Sequence, residues 1–330
     1  MEQKILILGI SSFAGASFAN YILNKKKKFK VFGTFNSAKS FPIRSLLDNQ
    51  KLKKLKLYRL NLNKNNILLG LVKKIEPDYI FDFASICMVN ESWSNPSYYF
   101  QVNVNSKIEF IKNLNQLKKI KKFIYISTPE IFGSNTKKIT EKMNNFNPTT
   151  PYASSKLSAE MFLNNYINDR NYKIIICRFS NFYGRGQPLY RLIPKLIWCL
   201  KNNKKFPLHG TGDTKRDFLF DEDFNNGLFK VLNKGKIGSK YHFSGTKFYK
   251  VKEVINKLLS IKGMKFNDCI KFTKDRKGKD QNYFLDCEFT KKEINWEPKI
   301  NLINGLKKTI KFYENKNLII KKKDLKFSIK

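Results

Sequence analysis

The first 180 residues alternate short apolar segments with segments of helical periodicity. The apolar segments, predicted to be strands, are Lys4–Gly9, Lys30–Phe35, Leu55–Leu62, Tyr79–Phe83, Phe123–Ser127 and Lys173–Phe179. The predicted helices between them are Phe13–Asn24, Ile67–Ile75, Ser106–Leu117 and Tyr152–Tyr166. Strands that are buried on both faces form continuous apolar runs, and helices connect parallel strands. The alternation therefore predicts an α/β fold with a doubly wound parallel sheet.

Beyond residue 180 the alternation becomes less regular. Glycines and a proline between residues 184 and 188 predict a loop, which is followed by a predicted helix at Leu189–Lys201. We therefore predict two parts, residues 1–180 with the parallel sheet and residues 181–330 as a smaller α/β region. The smaller region is expected to cover the open end of the sheet, where folds of this class bind ligands.

The formal net charge of +38 results from 64 lysines and arginines against 26 acidic residues. Such an excess can indicate nucleic-acid binding. The lysine runs are dispersed, however, at Lys25–Lys28, Lys51–Lys56 and Lys321–Lys323, and no helix-turn-helix, zinc-finger or aromatic RNA-binding motif accompanies them. We therefore predict no nucleic-acid partner and expect the positive field to help gather a phosphate-bearing substrate.

Export signals, membrane segments and metal-binding motifs are not recognisable in the sequence. No apolar run has the length needed to cross a bilayer, which predicts a cytoplasmic protein with no membrane partner. The five cysteines form no closely spaced pair, and we expect them to be buried, reduced thiols. The two histidines, His209 and His242, are far apart in the sequence, so no metal site is predicted.

A turn of small residues follows the first predicted strand. In Gly9-Ile10-Ser11-Ser12-Phe13-Ala14-Gly15, small residues occupy the first, fourth and seventh positions. Between a strand and a helix, this spacing lets the backbone approach a pyrophosphate at the helix N-terminus, which is typical of a Rossmann-type dinucleotide-binding domain; an ordinary strand–helix turn is the alternative. An acidic residue at the end of the second strand would bind the ribose of NAD, but Asn36 lies near that point, so NADP also stays open.

Tyr152 and Lys156 are four residues apart at the start of a predicted helix and therefore share one face of it. The Lys156 ammonium would favour the Tyr152 phenolate and lower the pKa of the phenol, so that it can take a proton from a hydroxyl group. The same spacing also occurs at Tyr21 and Lys25, as expected by chance in so lysine-rich a chain. Position separates the two pairs, because Tyr152 opens the helix after the strand that ends at Ser127.

Several motifs in chain order resemble the extended short-chain dehydrogenase/reductase family, in particular its nucleotide-sugar 4,6-dehydratase branch, typified by dTDP-glucose 4,6-dehydratase. The matching segments are Phe83–Ser85, Val89–Ser92, Asn103–Asn105, Ser127–Gly133, Asn147–Tyr152, Arg178–Gly184, Arg216–Phe218, Asp275–Asp280 and Asn295–Pro298. The resemblance covers nearly the whole chain. It implies a homodimer that uses NAD to convert a nucleotide-activated hexose, of the dTDP-glucose or GDP-mannose type, into its 4-keto-6-deoxy form.

The resemblance also implies a role for particular residues. Tyr152 would be the base at carbon 4, Lys156 would tune it, Thr128 would bond the 4-oxygen and Glu130 would take the proton of carbon 5. The implied cofactor-binding residues are Gly9, Ser12, Phe13, Gly15, Asn61, Leu62, Ala84, Ser85, Asn103, Ser127, Tyr152 and Lys156. The implied substrate-binding residues are Asn181, Arg191, Arg216 and Arg276.

The sequence departs from the branch at three positions. Pro129 stands where many members carry the aspartic acid that protonates the leaving hydroxyl, Lys279 stands in place of a histidine, and Ser12 replaces the middle glycine of the turn. Related alternatives therefore stay open: a nucleotide-sugar 4-epimerase, or a decarboxylase of nucleotide-activated hexuronates. A basic nucleic-acid-binding protein on a degenerate enzyme fold and an inactive scaffold dimer are more distant alternatives.

Overall fold

The computed structural model describes residues 2–26, 29–36, 40–62, 65–135, 137–170, 172–274, 282–315 and 318–327. Its strands are β1 Gln3–Leu8, β2 Phe29–Phe35, β3 Leu55–Arg59, β4 Tyr79–Asp82, β5 Lys122–Ser127, β6 Lys138–Ile139, β7 Ile174–Phe179, β8 Phe182–Tyr183, β9 Phe206–His209, β10 Lys215–Asp217, β11 Leu219–Phe220, β12 Lys240–Phe243, β13 Phe248–Lys250, β14 Ile270–Thr273 and β15 Phe284–Leu285. Its α-helices are α1 Phe13–Leu23, α2 Phe41–Leu46, α3 Asn49–Lys53, α4 Asn65–Ile75, α5 Val89–Ser94, α6 Pro96–Phe100, α7 Ser106–Lys112, α8 Pro151–Arg170, α9 Leu192–Lys201, α10 Asp221–Lys234, α11 Val251–Ile261, α12 Phe266–Cys269, α13 Glu288–Ile294 and α14 Leu302–Glu314. None of the helices in this described part of the chain has both the length and the apolar character needed to span a lipid bilayer.

Within the described residues, seven strands form one parallel sheet in the order β12-β7-β5-β4-β1-β2-β3. The central strands are buried, as expected for a sheet covered on both faces. The predicted doubly wound α/β fold is confirmed. Strand order reverses between β1 and β4, and the crevice outside their carboxyl ends is where this fold binds ligands.

Some predicted element bounds are wrong. The third strand ends at Arg59 and not at Leu62. The helical region predicted at Ser106–Leu117 begins earlier with a π-helical turn at Gln101–Asn105, and its α-helix ends at Lys112. The helix predicted from Leu189 begins at Leu192, because the Arg191 amide donates to the Pro188 carbonyl and closes a turn there.

The C-terminal part of the chain completes the sheet. The seventh strand of the sheet, β12, pairs with β7, and helix α10 packs against α1. A further hydrophobic core lies between α9, α11 and α14, apart from the two cores that cover the sheet. The chain therefore returns to the sheet after residue 180, and the two-part division predicted there stays a prediction.

A buried ion pair joins α8 to the sheet. Arg178 on β7 donates to both carboxylate oxygens of Glu160 on α8, at 2.6–3.1 Å, and both side chains are fully buried. Its Nη1 lies 3.1 Å from Nε2 of His242 on β12, whose Nδ1 lies 3.1 Å from the Ile139 carbonyl. Burial, and then the charge of Arg178, hold the pKa of His242 well below its ordinary value, so the imidazole is neutral.

All five cysteines are free thiols. Cys177, Cys199 and Cys269 are buried and Cys287 is half-buried, whereas Cys87 is exposed. The expectation of burial is therefore wrong for Cys87, because it lies in the loop that follows β4 at the open end of the sheet.

Gly9→Ala should destabilise the protein. Gly9 has φ +73°, and a Cβ atom there would lie 2.9 Å from the backbone of Ala84. We expect a loss of about 2–3 kcal/mol in the free energy of unfolding, measured by urea denaturation. Gly70→Ala is the matched control, since Gly70 lies in α4 with open space around it, and it should gain roughly 0.5–1 kcal/mol. Equal effects of the two substitutions would contradict this account.

Candidate active site

The turn after β1 is compact and held by its own backbone. The Ser12 amide donates to the Gly9 carbonyl, and the Ser12 hydroxyl caps α1 by accepting from the Gly15 amide at 3.0 Å. The Ile10 amide donates to Thr34 on β2. A Cβ atom at Gly15 would lie 2.6 Å from the Gly9 carbonyl oxygen, so the helix can start this close to the strand only without a side chain there. This geometry suits a pyrophosphate at the start of α1.

The loop after β4 lies against this turn. Ala84 contacts Gly9 so closely that a Cβ atom on the glycine would overlap it. Asn103, fully buried in the π-helical turn, accepts from the Ile86 amide at 2.9 Å and donates to its carbonyl at 3.1 Å. It also donates to the hydroxyl of Ser155 on α8 at 3.0 Å. The predicted cofactor residues of the turn, the loop and this helix therefore lie together.

Lys156 is almost fully buried on α8. Its ammonium donates to the Ile126 carbonyl at 2.7 Å and to the Ser85 hydroxyl at 3.1 Å, and it lies 4.1 Å above the Tyr125 ring. Burial lowers the pKa of Lys156 to about 7, and the charge of Lys107 acts in the same direction. The ammonium is therefore a shared anchor for β5, the loop after β4 and α8.

Tyr152, Thr128 and Glu130 meet at the carboxyl end of β5. Burial raises the pKa of Tyr152 well above its ordinary value, and the Glu130 charge adds to this, whereas a hydrogen bond with Thr128 and the charge of Arg191 lower it. From sequence we expected Lys156 to lower this pKa. Thr128 and Arg191 do so in the structure, since the Lys156 ammonium donates to other oxygens.

A short 3₁₀ turn, Pro129–Phe132, carries the carboxylate of Glu130. Thr128 caps this turn, because its hydroxyl oxygen accepts from the Glu130 amide at 3.3 Å. Next to it, the hydroxyl of Ser127 is buried and has no hydrogen-bond partner among the described residues. An orphaned buried hydroxyl at the strand end is the kind of group that a bound ligand satisfies. The predicted cofactor contact at Ser127 therefore fits the site.

Three of the four predicted substrate residues, Asn181, Arg191 and Arg216, belong to the described residues. Arg191 donates to the Cys87 thiol at 3.2 Å and interacts electrostatically with Tyr152. Asn181 donates to the Tyr283 hydroxyl at 3.1 Å, and the Arg216 guanidinium lies 4.6 Å from the Tyr283 ring centre. Arg191 therefore lies near Tyr152, whereas Asn181 and Arg216 meet at Tyr283.

The remaining predicted residues are Arg276, Asn61, Leu62 and Phe13. Arg276 and the rest of its motif, residues 275–280, lie outside the described residues. Asn61 is exposed and Leu62 half-buried after the end of β3, and Leu62 packs against the same core as Ala84. Phe13 is half-buried, and its ring stacks on Phe182 with 4.1 Å between the ring centres.

Sequence reasoning missed three residues of this region. Tyr283 is buried and interacts electrostatically with Glu130 and Arg216. Cys87 faces Arg191, and Lys107 lies behind Lys156. Tyr283 follows the Asp275–Asp280 motif by three residues, which is a usable signal. No sequence signal marks Lys107, because it is one of many lysines in a lysine-rich chain.

Comparison with known proteins identifies relatives over nearly the whole chain. The family model described as GDP-mannose 4,6 dehydratase matches residues 6–309. A dTDP-glucose 4,6-dehydratase of Haemophilus influenzae is 29% identical over 333 residues, which cover 94% of this chain and 98% of that protein. A solved dTDP-glucose 4,6-dehydratase of Bacillus anthracis, in complex with NAD, has a TM-score of 0.85 at 28% identity and covers 95% of this chain and 97% of its own. A UDP-glucuronic acid 4-epimerase of Bacillus cereus also has a TM-score of 0.85, but at 23% identity over 94% of this chain and 99% of its own it shows the fold alone.

Lys156→Met should change how stability depends on pH. The pKa of Lys156 is about 7 in the folded protein, against 10.5 for an ordinary lysine, so the unfolded state binds more protons between these values. The stability of the wild-type protein relative to the variant should therefore rise above pH 7 and be lost again as the pH falls through 7. We expect a relative gain of about 2 kcal/mol from pH 7 to pH 9, measured by urea denaturation of both proteins. A difference that stays constant between the two pH values would contradict the lowered pKa.

Proposed function

Because this chain belongs to the GDP-mannose 4,6 dehydratase family, we propose that it is a NAD-dependent hydro-lyase that removes water from a nucleotide-activated hexose. One observation carries the proposal: Tyr152, Thr128 and Glu130 meet at the end of β5, beside a turn suited to a dinucleotide. A phenol and a carboxylate at one place allow chemistry at two neighbouring carbons of one sugar.

We propose NAD as the cofactor, as in the solved Bacillus anthracis relative. The turn from Gly9 to Gly15 would hold the pyrophosphate, and Ala84, Ser85 and Ser127 would line the path towards the nicotinamide. When bound, the nicotinamide supplies hydride chemistry, since it can accept a hydride from the sugar and return it.

At carbon 4 of the hexose, Tyr152 acts as the base. Its phenol takes the proton of the 4-hydroxyl while the hydride leaves the same carbon. Thr128, whose hydroxyl bonds Tyr152, would also bond the 4-oxygen, and Arg191 adds a positive charge that favours the phenolate. Lys156 holds α8, and with it Tyr152, at the end of β5.

At carbon 5, Glu130 acts as the base. The ketone formed at carbon 4 acidifies the proton of carbon 5, and the Glu130 carboxylate takes it. Elimination then expels the hydroxyl of carbon 6, which needs a proton. Pro129 has no proton to give, so we propose that Glu130 passes the proton it has just taken to the leaving hydroxyl. Carbon 5 then regains a proton that comes from the solvent when the hydride is returned to carbon 6.

The nucleotide diphosphate would lie on the side of the C-terminal part. Arg216, Arg191 and Asn181 supply charge and hydrogen-bond donors there. We propose dTDP-glucose as the first substrate to test, because the relative that is 29% identical over nearly the full length of both chains has that name.

A 4-epimerase is the second candidate, since an epimerase shares the fold at a TM-score of 0.85. Epimerisation needs the Tyr152 base and its Thr128 partner, but no carboxylate at carbon 5. Glu130 beside Tyr152 therefore favours the dehydratase. A decarboxylase would instead require a hexuronate substrate.

The purified protein with NAD should convert dTDP-glucose, or another nucleotide hexose of a panel, into a product lighter by one water. In heavy water, the product should carry deuterium at carbon 5. Glu130→Gln should lower this turnover by about 100-fold or more, because no base remains for carbon 5. Mass spectrometry and proton NMR of the product measure both effects.

Glu109→Gln is the matched control, because Glu109 is an exposed carboxylate on α7, and it should leave turnover unchanged. Loss of water that persists in Glu130→Gln would contradict the assigned base. Inversion at carbon 4 without loss of water, unaffected by Glu130→Gln, would show an epimerase.

We also propose that the protein is a homodimer. Trp93 on α5, Phe100 on α6 and Met161 on α8 are 52%, 36% and 54% exposed, and their three helices pack against one another. Large exposed apolar side chains on helices that pack together favour a protein partner, and a second copy would cover them symmetrically.

Trp93→Glu combined with Met161→Glu should convert dimers into monomers, since it places two charges in the proposed interface. Light scattering after size-exclusion chromatography measures the mass of each species. Ile319→Glu is the control, because Ile319 is 71% exposed but lies outside these helices, and it should not change the mass. A wild-type protein that is monomeric at micromolar concentration would refute the dimer.

A further inference from the structure

Asp82 and Lys107 form a buried ion pair that the proposed reaction does not use. Asp82, at the end of β4, is fully buried and Lys107, on α7, is 4% exposed. The ammonium lies 2.8 Å and 2.7 Å from the two carboxylate oxygens. Burying two charges costs desolvation that their attraction does little more than offset, and an apolar pair often serves stability as well. Stability alone therefore does not account for this pair.

The contacts of Lys107 lead to the loop after β4. Its ammonium also donates to the Ala84 carbonyl at 2.6 Å, and the Ala84 amide donates to Asp82 at 3.0 Å. Asn103 lies four residues before Lys107, one helical turn away, and bonds both backbone groups of Ile86. Lys107 and Asn103 therefore both hydrogen-bond the backbone of residues 84–86 from the same helical segment.

Ser85 lies between the two clamped residues, and its hydroxyl accepts from the Lys156 ammonium at 3.1 Å. The ion pair thus reaches the catalytic lysine through one residue. The charged and titratable side chains that face Lys156 are Lys107 on α7, Asp82 on β4, Cys87 in the following loop, Tyr125 on β5 and Glu160 on α8 itself. Lys107 opposes the positive charge of Lys156, whereas Asp82 and Glu160 favour it.

We propose that the Asp82–Lys107 pair is a positioning element for Lys156: it fixes the loop that meets the ammonium and balances the charge around it. Lys107 adds a positive charge to a buried site, and Asp82 acts in the opposite direction. Loss of Lys107 alone would leave Asp82 facing Lys156, so the lysine would hold its proton to higher pH. The catalytic role of Lys156 rests on the proposed function, whereas the charge balance does not.

The test is the pH at which Lys156 begins to titrate, measured without turnover. The difference in unfolding free energy between Lys156 and Lys156→Met proteins should begin to change near pH 7. In the Lys107→Met background, this onset should move up by roughly one pH unit, the size expected for an unbalanced charge within about 10 Å. In Asp82→Asn with Lys107→Met, where both charges are gone, the onset should return towards pH 7.

Lys112→Met is the matched control, since Lys112 also lies on α7 and pairs with Glu109, but its side chain is 51% exposed; the onset should not move. An unchanged onset in Lys107→Met, or a shift that the double variant does not reverse, would overturn the proposal. If Lys107→Met does not fold, Asp82→Asn carries the test, and its onset should fall below pH 7. In an active enzyme, the alkaline limb of kcat/KM should follow the same shifts, because the protonated ammonium is the form that holds the site. Failure of the dehydratase proposal alone would leave the titration result standing.

Discussion

The geometry of the site depends on the hydrogen bonds of one buried ammonium group. Lys156 is 1% exposed, and an ammonium without water must find its acceptors within the protein. It finds them at the Ile126 carbonyl of β5 and at the Ser85 hydroxyl after β4. Helix α8, strand β5 and the loop are therefore held to one another, and Tyr152, one turn earlier on α8, is held at the end of β5 beside Thr128.

The same helix face continues for one more turn to Glu160. This carboxylate is fully buried and bonds Arg178 on β7, which in turn contacts neutral His242 on β12. Because β12 lies far beyond β7 in the sequence, this network ties α8 to two distant segments of the chain. Removing one partner of such a pair would leave an uncompensated buried charge, which costs about 3–5 kcal/mol. Helix α8, which carries Tyr152, is therefore held to β7 and β12 by one buried polar network.

Local sequence patterns predicted the parts of this architecture that local physics determines. The apolar strands and the small residues from Gly9 to Gly15 predicted the fold and its open end, and the motif at Ser127–Gly133 predicted the strand end at which Thr128, Glu130 and Tyr152 meet. The pairing of β12 with β7 joins segments more than sixty residues apart in sequence, and no local pattern records it. Lys107 could not be recognised either, because only its burial against Asp82 distinguishes it from exposed lysines. The sequence also did not show that Thr128 and Arg191 lower the pKa of Tyr152, since this depends on the direction of each hydrogen bond and the position of each charge.

Pro129 cannot donate a proton, but it constrains the backbone on both sides of it. A proline disfavours helical backbone in the residue before it, and Thr128 is extended, with φ −138° and ψ 149°. The ring also fixes the first position of the 3₁₀ turn, where no amide hydrogen is needed. Thr128 is thereby aimed at Tyr152, and its oxygen caps the Glu130 amide. Glu130 is the only acidic residue of Ser127–Gly133, so under the proposed reaction one rigidly held carboxyl serves both carbon 5 and the leaving group. Such a transfer requires the proton and the hydroxyl to leave from the same face of the sugar, which a single well-positioned carboxyl allows.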